Sequence, residues 1–126
     1  MMHESEHFKY SEQHLWVKIE GDCATIGLTS FVQSALGEIV FVELPQLGVH
    51  YSLGKPFGSV ESIKTVTELY VPVSGVVTEV NKSLHQSTEP INRSPDQEGW
   101  LIKVQLSNVA ELNHLWSWEK YRNTYL

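Results

Sequence analysis

A single lysine set between two short β-prone runs constrains this chain more than any other feature. Val60 and Ile63 precede Lys64, and Val66, Leu69, Tyr70 and Val71 follow it. Polar residues interrupt both runs beside the lysine, a pattern of strand, tight turn and strand. Pro72 and Gly75, in a Pro-x-Ser-Gly turn, fix the return strand, while Glu61 and Glu68 flank the lysine on either side. A lysine at such a tip is solvated, points away from the body and contributes little to stability. Taken alone, it would serve only to discourage edge pairing. Raised on a stiff hairpin, the same ε-amine has a fixed height and direction, which an enzyme modifying one lysine among several requires. Glu61 and Glu68 are candidates for orienting the hairpin against such a partner; solubility is their plainer role.

The rest of the chain surrounds this hairpin with similar short segments. Leu15 to Ile19 and Ala24 to Leu28 alternate apolar with polar residues across Gly21-Asp22, predicting a hairpin. Thr29 or Ser30 then caps a short helix, with Gln33 in capping-box position after Ser30 and Gly37 at its end. Phe31, Val32, Ala35 and Leu36 would form its buried stripe. Ile39 to Leu44 is a β-branched run stopped by Pro45. Val76 to Val80 and Trp100 to Leu106 predict further strands, and residues 82–97, with Pro90 and Pro95, a long polar loop. From Ser107 or Asn108 a helical stretch carries Val109, Leu112 and Leu115 and continues through Trp118 and Tyr121. Trp16, Trp100, Trp116 and Trp118 suit core or boundary packing. Many short strands with small helical pieces predict a mainly β sandwich or barrel. No linker divides residues 1–126, so one domain is expected, with residues 1–7 as a flexible N-terminus.

Composition narrows the function. The chain has 126 residues, enough for one modest core, and no stretch approaches the ~20 apolar residues of a membrane span. The segment from Met1 to His7 lacks a signal core or an Arg-rich transit pattern, which predicts a bacterial cytoplasmic protein. A net charge of −6 without a basic cluster argues against nucleic acid as a partner. The lone Cys23 excludes an internal disulfide and a cysteine-rich zinc site. Its place between a turn and a strand predicts a half-buried structural thiol, so any dithiol chemistry has to come from a cofactor. His3, Glu4, Glu6 and His7 would make a metal patch only as a helix, and a polar terminus is expected to be disordered instead. His14, His50, His85 and His114 lack ligand spacing. No Ser-His-Asp set, phosphate loop or paired carboxylates can be assembled, so no catalytic residue is assigned.

The segment Val60-Glu61-Ser62-Ile63-Lys64-Thr65 resembles the attachment site of lipoyl carrier proteins, and in detail that of the glycine cleavage H-protein family. Other blocks follow in order: His14-Leu15-Trp16-Val17, Ala24-Thr25-Ile26-Gly27, Leu36-Gly37-Glu38-Ile39-Val40-Phe41-Val42-Glu43-Leu44-Pro45, Ile91-Asn92, Ser94-Pro95 and Glu98-Gly99-Trp100-Leu101. The match runs from about Phe8 to Tyr121. It implies a lipoyl/biotinyl-type barrel-sandwich hybrid, the hammerhead fold, with short helices including a C-terminal one. It also implies covalent lipoate on Lys64, attached by a lipoate ligase or lipoyltransferase. The implied work is carriage of an aminomethyl group from glycine decarboxylase to aminomethyltransferase, with reoxidation by dihydrolipoyl dehydrogenase. Biotin carriers usually flank the lysine with methionines, where this chain has Ile63 and Thr65. Acyltransferase lipoyl domains usually show Asp-Lys and long linkers, absent here.

Three departures stand out. The family commonly has a glutamate directly after the histidine of the first block, an acid the resemblance implies helps hold the loaded arm in a cleft. Here that position is Leu15. Glu68 replaces a common aspartate, and Thr65-Val66-Thr67 replaces smaller residues. Alternatives to glycine cleavage are an H-like lipoyl donor, relay or scaffold for other lipoate-dependent enzymes, and an unmodified interaction domain.

Overall fold

A computed structural model describes residues 8–126; the N-terminal heptapeptide, with His3, Glu4, Glu6 and His7 and the expected flexible terminus, lies outside the described residues. The described chain is mainly β. In order it forms β1 (Phe8–Tyr10), β2 (Leu15–Glu20), β3 (Cys23–Leu28), α1 (Ser30–Leu36), β4 (Ile39–Glu43), β5 (His50–Tyr51), β6 (Pro56–Ser62), β7 (Val66–Tyr70), β8 (Gly75–Val80), α2 (Glu89–Arg93), β9 (Ile102–Leu106) and α3 (Trp118–Tyr125). One sheet has the order β1-β2-β3-β9-β8-β5, and a second has the order β4-β6-β7. The strand pairs are antiparallel throughout.

The first hairpin forms where expected. Glu20 pairs with Cys23 across Gly21-Asp22, and Gly21 takes φ 65°, the positive angle that the first position of a II′ turn requires. Trp16 lies opposite Gly27, and a Cβ on Gly27 would come within 2.5 Å of the indole, so only glycine admits the ring there. The two faces of this sheet are buried against different partners. Leu15, Val17, Ala24, Ile26 and Leu28 point into the main core between the sheets, with Val60, Leu69, Ile102 and Val104. The opposite face contributes Phe8, Tyr10 and Trp16 to an aromatic cluster completed by Tyr121 of α3. Tyr10 and Trp116 exchange backbone hydrogen bonds of 2.8 and 2.7 Å, which draw the C-terminal segment onto β1.

Cys23 corrects the expectation of a half-buried thiol, because it is exposed. It shares the outer face of β3 with Thr25 and Gly27 but lies at the hairpin end, beyond the aromatic cover. In α1, Thr29 is the N-cap: its hydroxyl oxygen accepts from the Val32 N–H, and Gly37 closes the helix at φ 85°. Gln33 does not complete a capping box. Its amide donates instead to the Gly37 carbonyl and to Asn92 Oδ1. The predicted stripe also divides. Val32 and Leu36 pack on the main core and Phe31 on the aromatic cluster, while Ala35 is exposed.

Residues 82–97 form no simple loop. They hold a 3-10 turn at Lys82–His85 and then α2, anchored by buried Leu84 and Ile91. Pro90 falls in the first turn of α2, where a missing N–H leaves no intrahelical bond unmade. The two prolines therefore start and follow a short helix rather than forbidding one. Strands β1 and β5 were also not anticipated; at three and two residues they are too short to show periodicity.

Candidate functional site

Strands β6 and β7 pair in the register Ser59↔Glu68, Val60↔Thr67 and Glu61↔Val66. Val60, Ser62 and Leu69 face inward and are buried, while Glu61, Val66 and Glu68 face solvent. This period-two alternation fixes which side the hairpin presents, since a slip of one residue would expose Val60 and bury Glu61. Lys64 is exposed at the tip beside Ile63.

The tip is held by a side chain that sequence reasoning did not single out. The Ser62 N–H donates to the Thr65 carbonyl at 2.9 Å, closing one side of the turn. On the other side, the Lys64 and Thr65 N–H groups both donate to Ser62 Oγ, each at 3.2 Å. A hydroxyl thus takes the place of a backbone acceptor and gathers both amides of the loop. Among the described residues, His14 is the only non-glycine with positive φ, so Ile63 and Lys64 turn without the Asn or Gly that a primed hairpin loop demands. The available signal was a serine two positions before the lysine, in a place where hydroxyls initiate turns.

Glu61 and Glu68 lie on the same outer face, one on each strand of the hairpin. Glu68 accepts a hydrogen bond from the Tyr70 hydroxyl at 3.1 Å, and that bond raises the phenol pKa. Leu15 lies elsewhere. It is 1% exposed within the main core, and its N–H donates to Ser11 Oγ. The position where the family resemblance implies a cleft carboxylate is therefore occupied here by a packed alkyl group.

A profile of the glycine cleavage H-protein family matches residues 8–126. The chain belongs to that family. It is 53% identical over 116 residues to the glycine cleavage system H protein of Brevibacillus brevis, covering 92% of each chain. It is likewise 53% identical over 115 residues to that of Bacillus cytotoxicus, covering 91% of each. The crystal structure of a glycine cleavage system H protein from Mycobacterium marinum superposes with a TM-score of 0.86 at 36% identity, over 95% of this chain and 97% of that one. The two-sheet architecture is thus that of the H-protein family, and its Lys64 hairpin is the segment whose residues carried the resemblance.

Proposed function

We propose that this H-protein family member works as the lipoyl carrier of a glycine cleavage system, with lipoate joined by an amide to Nζ of Lys64. The observation that carries the reading is an exposed lysine on a hairpin tip whose loop amides are gathered by Ser62, in a chain of this family. The residues fit such a group: the amine faces solvent, the base beneath it is braced, and both neighbouring strands are anchored in the core. When bound, lipoate would supply a disulfide that opens to take up an aminomethyl group and is left as a dithiol, to be reoxidised, once that group is released. The chain's own residues bind and position; none is assigned a catalytic role.

The partners inferred are glycine decarboxylase, aminomethyltransferase, dihydrolipoyl dehydrogenase and a lipoate ligase or lipoyltransferase, with Glu61 and Glu68 on the face they meet. Residues 8–126 are inferred to act as one domain, because both sheets share the main core. Among the described residues no helix is long and apolar enough to cross a membrane, and a bacterial cytoplasmic location is proposed. Incubated with lipoate, ATP and a lipoate ligase, the protein should gain one lipoyl group, mapped by peptide mass to Lys64. Lys64→Arg keeps the charge but cannot form a stable amide, so attachment should vanish with folding intact. Label on Lys55 or Lys82 in the parent chain would sink the assignment.

A further inference from the structure

The surface beside Lys64 is more apolar than the fold requires. In β4 the register against β6 runs Ile39↔Ser62 and then Phe41↔Glu61, with an irregularity between them. Ile39 and Ser62 are buried, so strict alternation would turn Val40 outward and Phe41 into the core. The extra residue at Val40 leaves both outside, at 47% and 56% exposure. A bulge of this kind re-aims a side chain, and here it moves a phenylalanine from core to surface. Phe41 lies opposite Glu61, which lies opposite Val66, so the three form one row across the sheet. The next outward row is Glu43, Ser59 and Glu68, about 7 Å further from the tip. Ile63, 73% exposed, extends the apolar row to the lysine, and Val66 is 63% exposed. None of the three strands carries a Lys or Arg. Phe41 and Val66 therefore flank Glu61, with Val40 and Ile63 exposed nearby, Glu43 and Glu68 in the next row, and Lys64 at the head.

We propose that this face docks the enzyme that acylates Lys64, through an apolar recess rimmed by Arg or Lys. The inference rests on the carrier reading and names the surface it uses. In that reaction the neutral Nζ forms a bond to the carbonyl carbon of an activated lipoyl donor. The bond to the activating group, a nucleotide phosphate or a thiol, breaks, and the amine loses one proton. The acyl carbon must reach the lysine itself, so this enzyme's body lies against the strands that bear it. Enzymes that act at the far end of an attached arm can meet Glu61 and Glu68 without covering the apolar residues beside the lysine. Phe41, an exposed aromatic at one end of this row beside Glu61, offers a hot-spot anchor, and the neighbouring carboxylates accelerate encounter with a basic partner.

The test is kcat/KM for lipoate attachment by a lipoate ligase with ATP, followed by intact mass. Phe41→Ser should lower it about tenfold, chiefly through KM, because a hot-spot anchor is lost. The double variant Glu43→Gln/Glu68→Gln should lower it at low salt and flatten its salt dependence. Val109→Ser, an exposed apolar residue at the start of the C-terminal helical stretch, should match the parent. Parental kcat/KM in both the Phe41 and the double Glu variants, with the parent labelled on Lys64, overturns the proposal and leaves the carrier reading standing. An unlabelled parent overturns the carrier reading and the docking proposal with it. Should Phe41→Ser lose folding stability, Val66→Thr decides: it keeps the β-branch, and unchanged kcat/KM there also overturns the docking face.

Discussion

Ser62 and Leu15 are the two residues whose roles the structure redefines. Ser62 is 4% exposed, and its single hydroxyl oxygen serves two loop amides, so its removal loosens the tip without opening the core. Ser62→Ala is expected to cost about 1 kcal/mol, as the loss of a neutral hydrogen-bond acceptor does. Lipoylation of Lys64 should slow by more than that small stability change explains, because the amine is no longer held at one height; equal rates for the two proteins would refute a positioning role. Leu15 raises a different question. From the sequence, its side chain stands where a family carboxylate commonly does, which suggests a weakened cleft. In the structure it is a core side chain, so Leu15→Glu inserts a carboxyl among apolar groups rather than restoring a cleft acid. Destabilisation of about 3 kcal/mol, at the severe end for single substitutions, is expected in urea unfolding. Burial raises the pKa of the introduced carboxyl, so the penalty is smallest in acid and grows as pH rises through the ordinary glutamate range. A penalty independent of pH would show that the new side chain escapes to solvent.

Elements are tied to one another by a few polar side chains acting as strands or caps. Asn92 of α2 accepts from the Ile39 N–H at 2.7 Å and donates to the Ile39 carbonyl at 2.9 Å, so its amide acts as a neighbouring strand at the bulged start of β4. Thr88 adds a second donor to the same carbonyl. The bulge that exposes Phe41 is thereby held from behind by a segment whose polar, proline-bearing sequence predicts a loop. On the other side of the molecule, the Tyr121 hydroxyl lies 2.8 Å from both His14 Nδ1 and Thr29 Oγ1. Thr29 Oγ1 also accepts from the Val32 N–H, so the N-cap of α1, Tyr121 and His14 form one hydrogen-bonded chain. Burial lowers the His14 pKa and raises that of Tyr121 to about 12, so both are neutral at physiological pH. Because the folded pKa of His14 lies below the unfolded one, the unfolded chain binds the proton first. Stability is then fully present above the ordinary histidine range and is lost as pH falls through it. Tm should drop between about pH 7.5 and about pH 5.5, and His14→Asn, which tolerates the positive φ, should reduce that drop. An undiminished drop would assign it to other groups.

Across the whole molecule, the hairpin and the C-terminal helix rest on different cores. Val60 and Leu69 anchor β6 and β7 in the cluster between the sheets, whereas Tyr121 seals the aromatic cluster behind β1 and β2. Deleting residues 118–126 should therefore lower Tm and increase dye binding at exposed aromatics, yet leave lipoylation of Lys64 near the parental rate. Loss of attachment in step with stability would mean that the two cores are not separable. Much of this architecture was legible beforehand. Period-two alternation gave β2, β3 and β9, because alternation is a local consequence of strand geometry, and β-prone runs broken by polar residues gave the Lys64 hairpin. Gly21 and Gly37 marked a turn and a helix end by a conformational need that other residues meet poorly. Helix α2, the exposure of Cys23 and the outward turn of Phe41 were not legible. Each depends on what another part of the chain covers: Leu84 and Ile91 find a core, the aromatic cluster stops short of Cys23, and a register shift against β6 reverses the face of Phe41. The sequence by itself determined the two hairpins and which lysine stands at a tip. Only the tertiary structure decided what surrounds that lysine, because the face a side chain takes beyond a bulge depends on hydrogen bonds to strands and helices far away in the chain.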